Sequence, residues 1–250
     1  MSFFAVSDIH GRFKELNSVL EENNFKDSDK LIILGDILDR GSECKALTAF
    51  IVSLIEQDRV VLIRGNHEDL LDAFLDDIEY YCESLKDINS SPWFRNGTFK
   101  TISQLTGMSF AEIIFHPKRA KKLMLETQYY RVIRTEMRDY FETQEYILVH
   151  GWIPAEKTIL PSGAYEYTYL KDWRSADKEA WEVARWFNGI DAARSGAFDT
   201  DKTIICGHVS AAYGHSSEGR ESDYSIYRSK GIIAINSSMN QKINCLIIDD

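Results

Sequence analysis

The sequence predicts an α/β fold, a sheet core with helices laid over its faces. Three observations carry the prediction. Short apolar runs alternate with amphipathic helical stretches through the first part of the chain, the pattern of an α/β core. Of 250 residues, 44% are hydrophobic and 12% aromatic, enough to fill a core and to exclude disordered, collagenous and low-complexity classes. Several apolar runs stop directly at clusters of Asp, His, Asn and Arg, as strand ends do when they carry a site. The length implies one compact body with a subordinate insertion.

Phe3 to Val6 reads as a short buried strand and Leu31 to Leu34 as the next. Between them Leu16, Val19 and Leu20 recur at helical spacing, with charges on the opposite face. Leu47, Ile51, Leu54 and Ile55 mark a second helix, Val60 to Ile63 a third strand, and Leu70, Leu71, Phe74, Leu75 and Ile78 another helix. The rhythm then changes, and residues 80–140 are predicted as a mainly helical insertion or cap, with a turn at Ser90, Ser91 and Pro92. Strands return at Tyr146 to Val149, Thr203 to Cys206, Ile232 to Ile235 and Cys245 to Ile248. The core is thus interrupted rather than followed by a second domain, and residues 1–250 are read as a single domain. Ser216 to Asp223, polar and containing glycine, is expected as a surface loop near the mouth of the site.

Charge narrows the function. Lys and Arg number 29 against 39 Asp and Glu, a formal charge of -10 that on average repels nucleic acid polymers. A site for a phosphate anion therefore needs local positive charge, from metal ions or clustered arginines. The opening MSFFAVSD is neither a signal peptide nor a membrane span, and no later stretch approaches 18 uncharged apolar residues, so a cytoplasmic protein without membrane partners is expected. Cys44, Cys82, Cys206 and Cys245 form no close pair; buried thiols are expected at Cys206 and Cys245.

Five strand ends share one design: AVSDIHG with Asp8 and His10, LILGDILDRG with Asp36, Asp39 and Arg40, VLIRGNHE with Arg64, Asn66, His67 and Glu68, ILVHGW with His150, and IICGH with His208. Residues at the carboxyl ends of strands converge in space although far apart in sequence. Of the six histidines, His10, His67, His150 and His208 follow strands, and His215 lies in the adjoining segment. Carboxylates mixed with imidazoles suit manganese, iron or zinc better than magnesium or calcium. Asp36 has two oxygens and could bridge two ions, which would polarise a phosphoryl group and activate water. Taken singly, each has a plainer reading that is favoured: Asp8 as a helix N-cap, His10 or His150 as a core-edge histidine, and Asn66 as a turn residue.

The motifs SDIHG, GDILDRG, RGNHE, HGW and the later GH, in this order and spacing, resemble the calcineurin-like metallophosphoesterases. Within them they look like the phosphoprotein phosphatase branch, which includes prokaryotic and bacteriophage Ser/Thr protein phosphatases and symmetrical dinucleoside tetraphosphatases. FRNGTF is a weaker resemblance to the prokaryotic members. The resemblance implies a four-layer sandwich of two mixed β-sheets flanked by helices, which periodicity alone does not distinguish from a Rossmann-like sheet. It implies a metal centre of Asp8, His10 and Asp36 on one ion and Asp36, Asn66, His150 and His208 on the other. The two divalent ions are expected to be Mn²⁺, with iron and zinc as alternatives. It also implies that Arg40 and Arg64 contact phosphate oxygens, that Asp39 and His67 form a paired acid for the leaving oxygen, and that Arg174, in YLKDWRS, supplies a further phosphate contact.

Two departures stand out. Ser210 occupies the place of a second late histidine found in some metallophosphoesterases, which agrees with the phosphatase branch. Asn236, Ser237 and Ser238 stand where that branch commonly has an Asp-Thr-Gly type turn, which bears on ion affinity or substrate geometry. The leading expectation is hydrolysis of phosphoserine or phosphothreonine in a phosphorylated protein or peptide. The alternative is symmetrical cleavage of a dinucleoside tetraphosphate, with Lys118, Arg119, Lys121 and Lys122 as cations for the long anion. A non-catalytic metal-bound interaction domain ranks third.

Overall fold

The structure is a computed structural model that describes residues 1–85, 89, 91–163, 165–198 and 202–249. β1 (Ser2–Val6), α1 (Phe13–Glu22), β2 (Lys30–Leu34), α2 (Cys44–Glu56), β3 (Val60–Ile63) and α3 (Asn66–Asp76) follow the predicted alternation. A helical stretch comes next: α4 (Ile78–Glu83), α5 (Pro92–Asn96), α6 (Thr98–Thr106), α7 (Phe110–Phe115), α8 (Pro117–Leu125) and, after a wide turn at Tyr129–Ile133, α9 (Arg134–Glu136). The second half holds β4 (Tyr140–Glu142), β5 (Tyr146–Val149), β6 (Ala155–Ile159), β7 (Tyr165–Tyr169), α10 (Lys178–Ala184), α11 (Gly189–Arg194), β8 (Thr203–Cys206), α12 (Ala211–Ser216), β9 (Tyr227–Ser229), β10 (Ile232–Ala234) and β11 (Leu246–Asp249).

Two mixed sheets result. One runs β11-β1-β2-β3 with an antiparallel edge at β11, the other β4-β5-β8-β10-β9 with antiparallel edges at β4 and β9. Side chains alternate across each strand. Phe3, Ala5, Ile32, Leu34, Val61 and Ile63 of the first sheet meet Leu148, Ile205 and Ile233 of the second in the layer between the sheets. Their sequence neighbours Phe4, Val6, Leu31, Ile33 and Leu62 point outward beneath the first set of helices. Ile147, Val149, Ile204, Cys206, Ile232 and Ala234 do the same beneath α10 and α11. Every central strand is buried on both faces, which is why the runs are continuously apolar, and the four-layer sandwich follows. Each fully buried Ile or Leu contributes about 1.5–3 kcal/mol of transfer free energy.

Between residues 80 and 140 the described residues hold α5 to α9. Phe99, Ile102, Ile113, Ala120, Met124, Tyr129 and Ile133 share one apolar cluster with Phe4 and Val6, so this stretch extends the outer helical layer. Ser90 lies outside the described residues; Ser91 and Pro92 open α5, where proline is tolerated at the first helical position. The β6–β7 hairpin was not expected: its AEKTI and YEYTY are largely exposed and carry little apolar signal. The last strand begins at Leu246 rather than Cys245. All four cysteines are free. Cys44, Cys82 and Cys206 are buried and Cys245 partly so, and burial pushes the Cys44 and Cys82 thiols up to about 11. Among the described residues no helix is long and apolar enough to cross a membrane.

Candidate metal centre

The parallel strands β1, β2, β3, β5 and β8 bring their carboxyl ends to one place, so Asp8, His10, Asp36, Asn66, His67, His150 and His208 meet. Asp36 lies at the middle. Its Oδ2 is 3.6 Å from His10 Nε2 and its Oδ1 is 3.5 Å from His150 Nε2, one oxygen toward each imidazole. Asn66 Oδ1 is 2.8 Å from His150 Nε2 and 3.0 Å from His208 Nδ1. Asp8 accepts from the His208 backbone N–H through Oδ2 at 3.0 Å. Two sets of donor atoms therefore share one carboxylate: His10, Asp36 and His67 on one side, and Asp36, His150 and His208 on the other.

The tautomers are set by the backbone. His10 Nδ1 donates to Leu38 O at 3.0 Å and His150 Nδ1 to Leu34 O at 2.7 Å, which leaves a lone pair on each Nε2. On His150 that nitrogen faces Asn66 Oδ1 at 2.8 Å, a pair of donor atoms that a shared cation would satisfy. Burial, with Arg40 and His67 adding to it, holds the His10 ring well below its ordinary value. Burial and the facing His150 push His208 down to about 3, so both rings are neutral near pH 7. Burial raises Asp36 well above the usual carboxylate range despite the pull of His67, and Asp8 and Glu68 crowd it further. Buried carboxylates packed among neutral imidazoles fit divalent transition ions in both chemistry and charge.

Local structure holds these side chains in place. Glu68 accepts from the backbone N–H groups of Asp36 at 2.9 Å, Ile37 at 3.0 Å and Gly65 at 2.8 Å, and so fixes the turn that presents Asp36. Gly35 has φ +76°, and a Cβ there would stand 2.6 Å from His150 Nδ1. Asp8, His10, Asp36, Asp39, Arg40 and His208 all adopt positive φ, which disfavours side chains and concentrates at functional sites. Asn236 Nδ2 donates to His208 O at 2.8 Å and its Oδ1 accepts from Ser238 N at 2.8 Å, so the asparagine of the unusual turn steadies the His208 backbone. Ser210 caps α12 by accepting from Ala212 N.

Arg40 reaches over His10 and His67. Its Nη1 is 2.9 Å from His10 Nε2 and its Nη2 is 2.8 Å from His67 Nε2. His67 Nδ1 donates to Asp39 Oδ2 at 2.8 Å. Burial lowers the His67 pKa, but Asp36 and Asp39 outweigh it and the net shift is upward.

Three side chains lie away from this group in the structure. Arg64 does not join this group: its Nε lies 2.5 Å from Asp69 and its Nη2 2.6 Å from Asp72, two acids on α3 that draw the guanidinium aside. Arg134 and Arg185 complete that network on Asp72 and Asp69. Arg174 lies over the Trp173 ring and forks onto Glu142 at 3.0 and 2.8 Å. His215 is folded away from the centre; its Nε2 donates to Ser225 O and its ring packs on Tyr227. Of the insertion's cations, Lys118 pairs with Glu79 and Lys121 with Asp76.

Two cavities border the centre. One, of about 160 Å³, is lined by Asp36, Asn66, His67 and Arg40 with Leu70, Asn96 and the half-exposed Trp186, which stands in the turn after α10, away from any strand-end motif that would mark it in the sequence. The other, of about 510 Å³, joins Asp8, His10, Arg40 and His208 to the uncharged Tyr224, Asn236 and the 238–241 wall. Arg12 pins that wall to the loop after β1 by donating to Asp8 O, Met239 O and Gln241 O.

A model of the calcineurin-like phosphoesterase family matches residues 1–235. The chain is 39% identical over 69 residues to the symmetrical bis(5'-nucleosyl)-tetraphosphatase of Buchnera aphidicola subsp. Acyrthosiphon pisum, covering 27% of this chain and 24% of that protein. The match thus spans about a quarter of the length of such curated relatives. Among solved structures, a cold-active protein tyrosine phosphatase is similar with a TM-score of 0.58 at 17% identity, covering 98% of this chain and 73% of that one. A putative diadenosine tetraphosphatase is similar with a TM-score of 0.50 at 12% identity, covering 98% and 88%. At such identities these two likenesses concern the fold.

Proposed function

The chain belongs to the calcineurin-like phosphoesterase family and is a hydrolase, and we propose on that footing that it cleaves phosphate monoesters with a dinuclear metal centre. The observation that carries the reading is the Asp36 carboxylate, whose two oxygens face His10 and His150 separately. Asp8, His10 and Asp36 would hold one ion, and Asp36, Asn66, His150 and His208 the other. Bound there, divalent ions supply Lewis-acid charge for the phosphoryl oxygens and make water acidic enough to attack at neutral pH. Arg40, between His10 and His67, offers two N–H groups in a fixed fork to phosphate oxygens as they gain charge. His67, oriented by Asp39, delivers a proton from Nε2 to the leaving oxygen. Manganese is the preferred ion for this ligand set, with iron and zinc as alternatives.

The substrate is proposed to be phosphoserine or phosphothreonine in a protein or peptide. Arg40 is the one Arg or Lys among the described residues lining the two cavities, which suits a single phosphoryl group. The uncharged wall of the larger cavity suits the rest of a peptide. A second reading, cleavage of a dinucleoside tetraphosphate, is favoured by the 39% identity to the named tetraphosphatase. The test is kcat/KM of the manganese-loaded enzyme on a phosphothreonine peptide and on diadenosine tetraphosphate. A preference for the peptide supports the first reading, and a preference for the dinucleotide replaces it with the second.

The acid role of His67 predicts a dependence on the leaving group. An alkoxide from phosphoserine needs a proton, whereas nitrophenolate leaves without one. His67→Asn should lower turnover of a phosphoserine peptide on the order of 10²-fold and that of p-nitrophenyl phosphate far less. Metal content should stay unchanged. Equal losses on both substrates would assign His67 to positioning of the phosphate, and loss of metal would make it a ligand.

A further inference from the structure

Asp39 is buried, and so is everything that grips it. Besides His67 on Oδ2, its Oδ1 accepts from the Thr101 hydroxyl at 2.7 Å, and Thr98 Oγ1 lies 3.5 Å from Oδ2. The same Thr101 oxygen accepts from the Asp39 backbone N–H at 3.0 Å. One fully buried hydroxyl thus holds both the carboxylate and the main chain of one residue. That residue needs holding: Asp39 and Arg40 have φ of +70° and +59°, and Gly41 N–H turns straight back onto Asp39 O at 2.5 Å.

The restraint comes from one face of α6. Gly97, its N-terminal flank, packs so closely on the Arg40 backbone nitrogen that a Cβ has no room. Lys100 Nζ donates to Arg40 O at 3.0 Å, and Gln104 Nε2 donates to Gly41 O at 3.1 Å while its Oε1 accepts from Cys44 N at 2.9 Å. Positions 97, 100, 101 and 104 recur at helical spacing, so a single helix splints the whole 39–44 turn.

We propose that Thr101 is a positioning residue for the Asp39–His67 pair, acting through the Asp39 carboxylate on proton delivery to the leaving group. The proposal rests on the acid role of His67. Thr101 touches no metal ligand in the proposed set, and its hydroxyl lies on the far side of Asp39 from the imidazole. It does so by denying the carboxylate any rotation that would turn Oδ2 from His67 Nδ1.

Thr101→Val keeps shape and removes the hydroxyl; Thr101→Ser keeps the hydroxyl. In manganese-loaded enzyme, Thr101→Val should lower kcat on a phosphoserine peptide about tenfold, a fraction of the full proton-transfer contribution. KM and the rate on p-nitrophenyl phosphate should change little, and Thr101→Ser should recover the loss. In metal-free protein the His67 Nδ1–H proton resonance should move in Thr101→Val and return in Thr101→Ser. Thr101→Cys, near in size and only a weak donor, should show the same ordering and replaces Thr101→Val if that variant does not fold. Equal rates for Thr101→Val and wild type on the peptide, or equal losses on both substrates, would overturn the proposal. His67→Asn is measured beside it: if His67→Asn discriminates between the substrates and Thr101→Val does not, the acid reading stands and the Thr101 role falls. If His67→Asn does not discriminate, both fall.

Discussion

Asp36→Asn should empty both metal positions at once and lower kcat/KM by about three orders of magnitude, ~4 kcal/mol of transition-state stabilisation. The reason is the division of its oxygens, Oδ2 toward His10 and Oδ1 toward His150. An amide retains one good acceptor, so it cannot serve both sides, and a replacement at His10 or His150 should by contrast weaken one side only. Metal analysis of purified protein reads the difference, with two ions per chain expected for the wild type and well under one for the variant. The same substitution should leave the metal-free fold intact or steadier. Burial already raises Asp36 far above the usual carboxylate range, with Asp8 and Glu68 adding repulsion, so the amide relieves a crowded charge. The Asn oxygen can still accept from His67 N–H, as Asp36 Oδ1 does at 3.0 Å. Metal-free Asp36→Asn melting at or above the wild type, with activity and metal lost, is the expected pattern. Two bound ions and near-normal turnover would remove the bridging role.

The strand-end design was legible because ligand-type residues stand directly after apolar runs, and parallel strands bring such ends together. Asp8, His10, Asp36, Asn66, His150 and His208 were all grouped on that ground, and they meet in the structure. The pairing of strands into two sheets was not legible from periodicity. Phe3 and Ala5 face the second sheet while Phe4 and Val6 face helices, so both faces are apolar and no alternation marks which is which. Arg64 illustrates a different limit. It stands two residues before Asn66, yet Asp69 and Asp72 lie on one face of α3 and hold its guanidinium in ion pairs. Those two acids were visible in NHEDLLD and were a usable signal. The grip of α6 on the 39–44 turn was out of reach, because it depends on positive φ at Asp39 and Arg40, residues with no glycine to announce it.

Arg40→Ala should lower kcat/KM by roughly two to three powers of ten, ~3–4 kcal/mol, and by a similar factor whatever the leaving group. That insensitivity separates it from His67, since Arg40 is assigned to the phosphoryl oxygens common to every substrate. Lys at this position should recover little, because a point charge on a flexible stem does not reproduce the guanidinium fork. Folding should be nearly unaffected. The side chain is exposed, and its bonds to His10 Nε2 and His67 Nε2 are ones a bound phosphate would take over. The backbone permits a stricter control. Arg40 has φ +59°, a conformation that glycine adopts freely and alanine does not, and α6 holds the turn whichever side chain is present. Arg40→Gly should therefore melt at or above Arg40→Ala while being equally inactive. Both variants should keep their metal, because no carboxylate or imidazole has been removed. If either melts far below the wild type yet retains normal activity per folded molecule, Arg40 belongs to the scaffold; if metal is lost with it, the guanidinium is organising His10 rather than gripping phosphate.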